Sequence, residues 1–536
     1  MKIISYAFAG IMMAAVPTTS FAEGRLVPEV NFLTWPATRY QHYYESSNYV
    51  AEAWRKLGIQ VKLNAQPFPA PMLGMWFTEH KFDVVMSVLS GGAARLDPEF
   101  YAATQFWSAS AEPGGMNVGT FISPKIDELI IKQRQIYSPE ARRDVIYELQ
   151  AALQDEQPEG LIASVTNTTA INTQNVTLEG FQDSPNGIWA VWNLMRLVPK
   201  NEAQPLKLGW TIDQESWNPL TFKSGDDLDR LGLVYDRLFV TGIDGNPVNW
   251  AAQSMTVVDD TTIEIQLKDG LVFSDGKPVT GDDVSFTYQY LKDNNAIFFK
   301  SFLSSMESVS AEGNTIRFKL TEPAVQFVTG ALSQIPILPK HIWATVMQDH
   351  DLARPQEYKN TDVVGSGPYR LKYWKEGREI YFERKPAHFM KPPSDILMVQ
   401  FGSSEVLAAS LRTGGIDATL QGLVPTVIEE FAEDPNLRLL PAKANSLYAA
   451  RYNFKTELFT HKAVRQALSH AIPYEAIIED VLGGYAEPTA SSIVPSNTFW
   501  TNPNLKIPEY NLEKARGILK DAGFTWDTEG KLRFPE

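Results

Sequence analysis

Apolar positions alternate with polar ones over 59–63 (IQVKL), which puts Ile59, Val61 and Leu63 on one side of an extended chain. That pattern predicts a strand with one buried face. Just before it, SSNYVAEAWRKLG at 46–58 carries Val50, Trp54 and Leu57 at helical spacing, with Gly58 placed to end the helix. VNFLT at 30–34 predicts a strand ahead of that helix. Strand, helix and strand in succession predict a parallel pair, because parallel neighbours need a crossover connection. FDVVMSVL at 82–89 adds a further buried strand, closed by SGGAARLDP. The clearest helix covers SPEARRDVIYELQAALQDEQP at 138–158. Ser138 can cap it, Pro139 suits the first helical position, and Glu140 favours the positive end of the dipole. Its apolar stripe of Ile146, Leu149 and Leu153 is a packing face.

At 198–205 the chain reads VPKNEAQP, polar and bracketed by prolines, which is linker composition. A strand, LKLGW, and a loop, TIDQESWNPLTF, follow at once. Strand residues over 263–279 are broken at Asp275-Gly276, a strong turn pair. Thr280 then stands three residues before Asp283, the spacing of a capping box, and predicts the start of a helix. NTIRFKL (314–320), the proline-bracketed IPILPKHIW (335–343) and VVGSGPYRLKYW (363–374) come next. HKAVRQALSHAI (461–472) and NLEKARGILKDAG (511–523) predict helices, the second with Asn511 at its cap and Gly523 past its end. FTWDTEGKLRF (524–534) predicts a hairpin about Glu529-Gly530.

A chain of 536 residues exceeds what one core supports, so two or three domains are expected. Its net charge of -15 argues against a nucleic-acid or anionic-membrane partner, whose phosphates it would repel. Residues 1–22 have the layout of an export signal: Lys2, the apolar IISYAFAGIMMAAVP, and SFA ending at Ala22. Cysteine is absent, so disulfides, a lipid-bearing cysteine and thiol catalysis are all excluded. Export without a lipid anchor places the protein in the periplasm.

Chemistry-bearing motifs are missing. There is no G-x-S-x-G elbow, no H-E-x-x-H, no Walker loop and no dinucleotide fingerprint. The seven histidines are scattered, with none three to five residues from another, so no metal site and no cofactor are expected. A binding protein is expected rather than an enzyme; the rival from another class is an exported hydrolase.

Several segments together resemble the family 5 extracellular solute-binding proteins, the peptide and nickel receptors of ABC importers. FSDGKPVTGDDVSFTYQYL (273–291) looks like that family's signature. LKLGWTIDQESWNPL (206–220), VVGSGPYRL, LRTGGIDA (411–418), YNFKTELFTHKAVRQALSHAI (452–472) and NLEKARGILKDAGF (511–524) match in the family's usual order. The pieces that normally follow are VAEAWRKLGIQVKL, FDVVMSVL, MNVGTFISPKIDELI and ARRDVIYELQAALQDEQP, and here they stand at the front, once each. The resemblance with this rotated order implies a circular permutation, the old ends joined through 198–205 and new ends opened between KLRF and VNFLT. Such rotation is physically plausible because domain termini are often close together on the surface.

What the resemblance implies follows. The fold is expected to be α/β, a two-lobed periplasmic-binding-protein fold of the type II, large peptide-receptor class, circularly permuted. One lobe should combine 24–175 with 447–536, and the other should be contiguous over 176–446. Ligand should lie between the lobes, on loops that follow strands. Candidate ligand-binding residues are Ser90, Gly91, Gly92 and Arg95 in SGGAAR, with Asn117, Trp217, Arg451, Tyr452 and Trp500. Core packing for the aromatics and ion pairing for the arginines are equally open readings. The expected function is a monomeric periplasmic receptor that passes a peptide or peptide-like solute to an ABC permease of the inner membrane. An oligosaccharide or opine-like conjugate is the alternative ligand. Peptide receptors of this family present an aspartate to the ligand's amino group shortly after the FD strand. Gly and Ala stand there instead in this chain, and an inward Arg95 would favour a carboxylate or phosphate.

Overall fold

The computed structural model describes residues 24–536, except 90–91, 93–95, 183–185, 212–213, 215 and 222–224. The proposed export signal and the candidates Ser90, Gly91 and Arg95 lie outside the described residues. Two long strands, Glu159–Asn172 and Leu437–Tyr452, run antiparallel through the molecule, from the pair Leu437↔Asn172 to the pair Arg451↔Glu159. Their register slips at mid-length: Ala442 faces Asn167, but Ser446 faces Val165. Four steps on one strand thus match two on the other, and a bulge of this kind bends a ladder and increases its twist. Neither strand shows clean alternation in sequence, because different stretches are buried on different sides.

On one side of the bulge the sheet continues through Ala418–Thr419, Leu206–Trp210, Ile396–Gln400, Glu379–Arg384 and Tyr369–Lys375. On the other side it continues through Val84–Leu89, Val30–Thr34 and Val61–Ala65. Each half has its own buried core. The first draws on residues from Ile171 to Leu440, and we call it the signature lobe. It also holds a four-stranded sheet ordered Ala252–Asp259, Thr262–Leu267, Thr315–Leu320, Met306–Glu312. The second, the end lobe, draws on Val27 to Ala163 and Tyr448 to Phe534. The long strands belong to both, so they are the covalent and hydrogen-bonded link between two hydrophobic bodies.

The strand–helix–strand unit forms with parallel pairing, Val30↔Val61 through Thr34↔Ala65. Its helix runs Gln41–Lys56, starting five residues ahead of the segment 46–58 that the sequence pattern marks. No side chain caps that start; Tyr43, in the added turn, instead packs edge-on against Trp35 at 5.1 Å. Ile59 ends the helix through its N–H to Trp54 (3.2 Å), so the second strand begins at Val61 rather than at 59. The helix Pro139–Glu156 keeps its Ser138 cap, which accepts from the Ala141 N–H.

The signature segment is a scaffold. Phe273 N–H closes the turn onto Lys277 O (2.8 Å), with Gly276 at φ +86°, where a side chain would be strained. One carboxylate oxygen of Asp283 accepts from the N–H and hydroxyl of Thr280 (2.9 and 2.7 Å), and the other from Lys340 N–H (3.0 Å). Ser274 N–H bonds Gly365 O, and a Cβ at Gly365 would sit 2.0 Å from Val234 O. The glycine of GSGPY is therefore required by backbone contact.

The described chain ends meet. Val27 N–H donates to Leu532 O and Phe534 N–H to Arg25 O, both at 2.9 Å, and Leu26 bridges Arg533. Val30 and Phe32 share a core with Ala515, Leu519 and Phe534. In the signature lobe, Val176–Leu178 pairs with Leu197–Pro199, and exposed residues 201–204 lead from that hairpin to Leu206. Replacing Asp283 by Ala strands three donors, and is expected to lower stability by about 1–3 kcal/mol. Chemical denaturation measures it; an unchanged midpoint would remove Asp283 from the scaffold.

Candidate functional site

Strand direction locates the site. The strand Leu437–Tyr452 runs from the signature lobe into the end lobe. Ala418–Thr419 is antiparallel to Glu159–Asn172 and therefore runs the same way, as does Leu206–Trp210 beside it. Their C-terminal ends point at the end lobe. Val84–Leu89 is antiparallel to Leu437–Tyr452, with Leu89 opposite Leu447 near the bulge. Its parallel neighbour Val30–Thr34, and Val61–Ala65 beyond, share its direction, so their C-terminal ends point at the signature lobe. The strand ends at 34, 65 and 89 thus face those at 210, 400 and 419. Carboxyl ends of parallel strands are where open α/β sheets bind ligands, and here two such sets confront each other across the bulge.

On the end-lobe side the sequence pattern gave no warning of an aromatic cluster. Trp35 meets Tyr40, Tyr43 and Phe68 at 4.9, 5.1 and 4.5 Å between ring centres. Tyr43 in turn stands edge-on to Tyr448 at 5.1 Å, and His42 lies 4.1 Å from Tyr43. Trp35 Nε1 donates to Met86 O (3.1 Å), which fixes its ring. Burial pushes the Tyr43 hydroxyl up and the His42 imidazole down, so both favour their neutral forms. On the signature-lobe side, Thr211 bonds the Gln421 side chain, and Trp189 Nε1 donates to Leu420 O (3.0 Å). The signal that could have found the cluster is the density of aromatics over 35–44, WPATRYQHYY, directly after a strand.

Contacts away from these loops also join the lobes. The Tyr137 hydroxyl donates to Asp260 O and accepts from Ala324 N–H, both at 3.2 Å. The turn at Gly245 lies against Leu96 O, Asn497 and the indole edge of Trp500.

Of the sequence-derived candidates, Gly92 has open space where a Cβ would stand. The other five described ones are buried. Asn117 ties its own loop, donating to Trp107 O and Phe121 O and accepting from Phe121 N–H. Trp217 lies in the signature-lobe core, edge-on to Phe382 at 5.7 Å. Tyr452 stacks on Phe459 at 4.8 Å. Trp500 packs beneath Arg142, whose guanidinium is 5.1 Å from the ring. Arg451 pairs with Glu159 (2.6 Å), bonds Gln105, and lies over Phe106. Asn117, Arg451 and Trp500 thus surround one satellite core through Phe106 and Phe121, while Trp217 belongs to the opposite lobe. Asp83 and Asp97 hold backbone turns: Asp83 accepts from Asn31 N–H, and Asp97 from Glu99 N–H and from Arg142. Among the described residues no group of three His, Asp or Glu converges to hold a metal.

Two hydrophobic bodies share a bulged two-strand link, and two sets of strand ends face each other across it. The chain belongs to the bacterial extracellular solute-binding proteins, family 5, whose middle-region model matches residues 246–536. It is 34% identical over 345 residues to the oligopeptide-binding protein AppA of Bacillus subtilis, covering 62% of each chain. It is 27% identical over 336 residues to the peptide transport periplasmic protein SapA of Salmonella typhimurium, covering 58% of this chain and 60% of that one. The chain therefore matches about six tenths of the length of these relatives. Among solved structures, AppA of Bacillus subtilis in complex with a nonapeptide aligns at 26% identity. That alignment covers 61% of this chain and 65% of that one, with a TM-score of 0.45.

The Arg451–Glu159 pair gives a direct test of which role Arg451 plays. Removing one partner of a buried pair leaves the other charge without compensation, so Arg451→Ala is expected to cost about 3–5 kcal/mol of stability. Urea unfolding measures this; an unaltered midpoint with lost ligand binding would assign Arg451 to the ligand instead.

Proposed function

We propose that the protein is a periplasmic receptor that captures a peptide or peptide-like solute between its lobes and delivers it to an ABC permease in the inner membrane. The observation that carries the reading is the confrontation of two sets of strand ends across the bulged strand pair. Membership of a solute-binding family supports it, as do relatives named for oligopeptide binding and peptide transport. Among the described residues no helix is long and apolar enough to cross a membrane, so delivery requires a separate permease. A second ligand class, an oligosaccharide or opine-like conjugate, is supported by the half-buried rings of Tyr40, Tyr43 and Phe68, whose apolar faces could stack on a sugar.

A true ligand binds only the folded form, and at about 100 times Kd it should add roughly 2.7 kcal/mol of stability. A thermal-shift screen of peptides, opines and oligosaccharides is expected to yield at least one stabilising compound, recovered chemically unchanged. Solution scattering with that compound should give a smaller radius of gyration, as lobe closure requires. Recovery of a cleaved product would move the reading to a hydrolase.

We also propose that the chain is a circular permutant of its family. Rotated motif order motivates this, and the pairing of Val27 with Leu532 and of Arg25 with Phe534 supports it. A collinear comparison can follow only one of two exchanged segments, and a family match over 246–536 is what that leaves. Joining residue 534 to residue 24 through a short glycine linker, and reopening the chain within 201–204, should restore the family order. The rearranged protein is expected to fold with a melting temperature within a few degrees of the original and to bind the same ligand. Failure to fold, with several linker lengths, would remove the permutation reading.

A further inference from the structure

We propose that Arg237, on the wall of a cavity in the signature lobe, receives the carboxylate of an aromatic ligand. The cavity is lined by Trp189, Trp192, Leu233, Tyr235 and Trp250 as well as Arg237. It adjoins the cleft, because Trp189 is bonded to the cleft loop at Leu420. The proposal therefore rests on the receptor reading for the source of its ligand.

The residue is 7% exposed. One terminal nitrogen donates to Leu228 O, and Nε has no acceptor among the described residues. A buried guanidinium that keeps an unused donor is costly, and an anionic acceptor that reached it would relieve that cost. Burial pulls its proton affinity down to about 10, which leaves it charged at neutral pH. Asp229, half-buried on the same wall and with a partner of its own, favours that charge; it is the one acidic group among the described lining residues.

The aromatic walls are held from outside the cavity. Trp250 Nε1 donates to Asp236 (2.8 Å), and the Tyr235 hydroxyl accepts from Asn360 Nδ2 (2.9 Å). Trp189 is fixed by its bond to Leu420. Rings anchored through their polar edges are preorganised for stacking, while the guanidinium supplies a fixed fork for a planar carboxylate. A role limited to bracing the helix Gly225–Val234 through Leu228 would not depend on the charge of any ligand.

The test uses the full protein and a matched pair of probes, N-acetyl-L-tryptophan and its amide, which differ in the carboxylate alone. Calorimetric titration is expected to show the acid binding about 10- to 100-fold more tightly than the amide. Arg237→Gln should bring the two to parity, and Arg237→Lys should keep part of the preference. Equal affinity of the two probes for the original protein would overturn the proposal, whether or not the variants fold. So would absence of binding by both up to about 10 mM, or a preference that survives in a folded Arg237→Gln. A peptide from the thermal screen that binds original and Arg237→Gln protein equally would also overturn it, while leaving the receptor reading intact.

Discussion

The antiparallel pairing of Glu159–Asn172 with Leu437–Tyr452 is the constraint on which the rest depends. It carries continuous hydrogen bonding from one core to the other and is interrupted only by register slips. A bulge bends a ladder and increases its twist. The slip between Ala442 and Ser446 lies between the stretches that serve the two cores, so the ladder changes direction where the lobes separate. Strand direction does the rest. One crossing strand fixes the sense of every neighbour it pairs with, and both parallel sets are thereby turned to face the junction.

Each lobe is stiffened by buried polar pairs that have few other partners. Arg451 with Glu159 ties the two long strands to each other, and Arg142 with Asp97 and Gln133 ties the helix Pro139–Glu156 to the turn at Asp97 and to the helix Pro124–Arg134. In the signature lobe, burial opposes ionisation of Asp236, yet His388 and Trp250 bond to it and hold its carboxyl below the usual range. Such pairs contribute less to net stability than to geometry, because desolvation offsets much of their attraction. Their effect is to hold each lobe in one arrangement, so that under the proposed receptor role closure would fall to the link between the lobes.

For the candidate site the sequence named a kind of place, the loops after strands, and the structure sets two groups of strand ends against each other across the bulge. Yet Asn117, Trp217, Arg451, Tyr452 and Trp500 are all engaged inside the protein. A loop polar residue looks the same in sequence whether it faces solute or ties its own loop, as Asn117 does. Conversely, Trp35, Tyr43 and Phe68 read as ordinary apolar positions, and only packing brings them onto Tyr448, some 400 residues away. Arg237 was illegible for the same reason, since the cavity wall it shares is drawn from separate stretches of the chain, 186–194, 229–241 and Trp250.

By itself the sequence determined the local elements and the family. The helix at 138–158, the Thr280–Asp283 box, the Asp275-Gly276 turn and the cap at Asn511 are all short-range, set by propensity, capping and turn chemistry within a few residues. Motif order is also a property of the chain alone, and the proposed rotation rests on it. The tertiary structure decided the long strand pair, which lacks alternation because its two halves are buried on different cores. It also decided which polar side chains are internal ties and which face open volume. Those outcomes depend on contacts between residues hundreds of positions apart, and no local pattern encodes them.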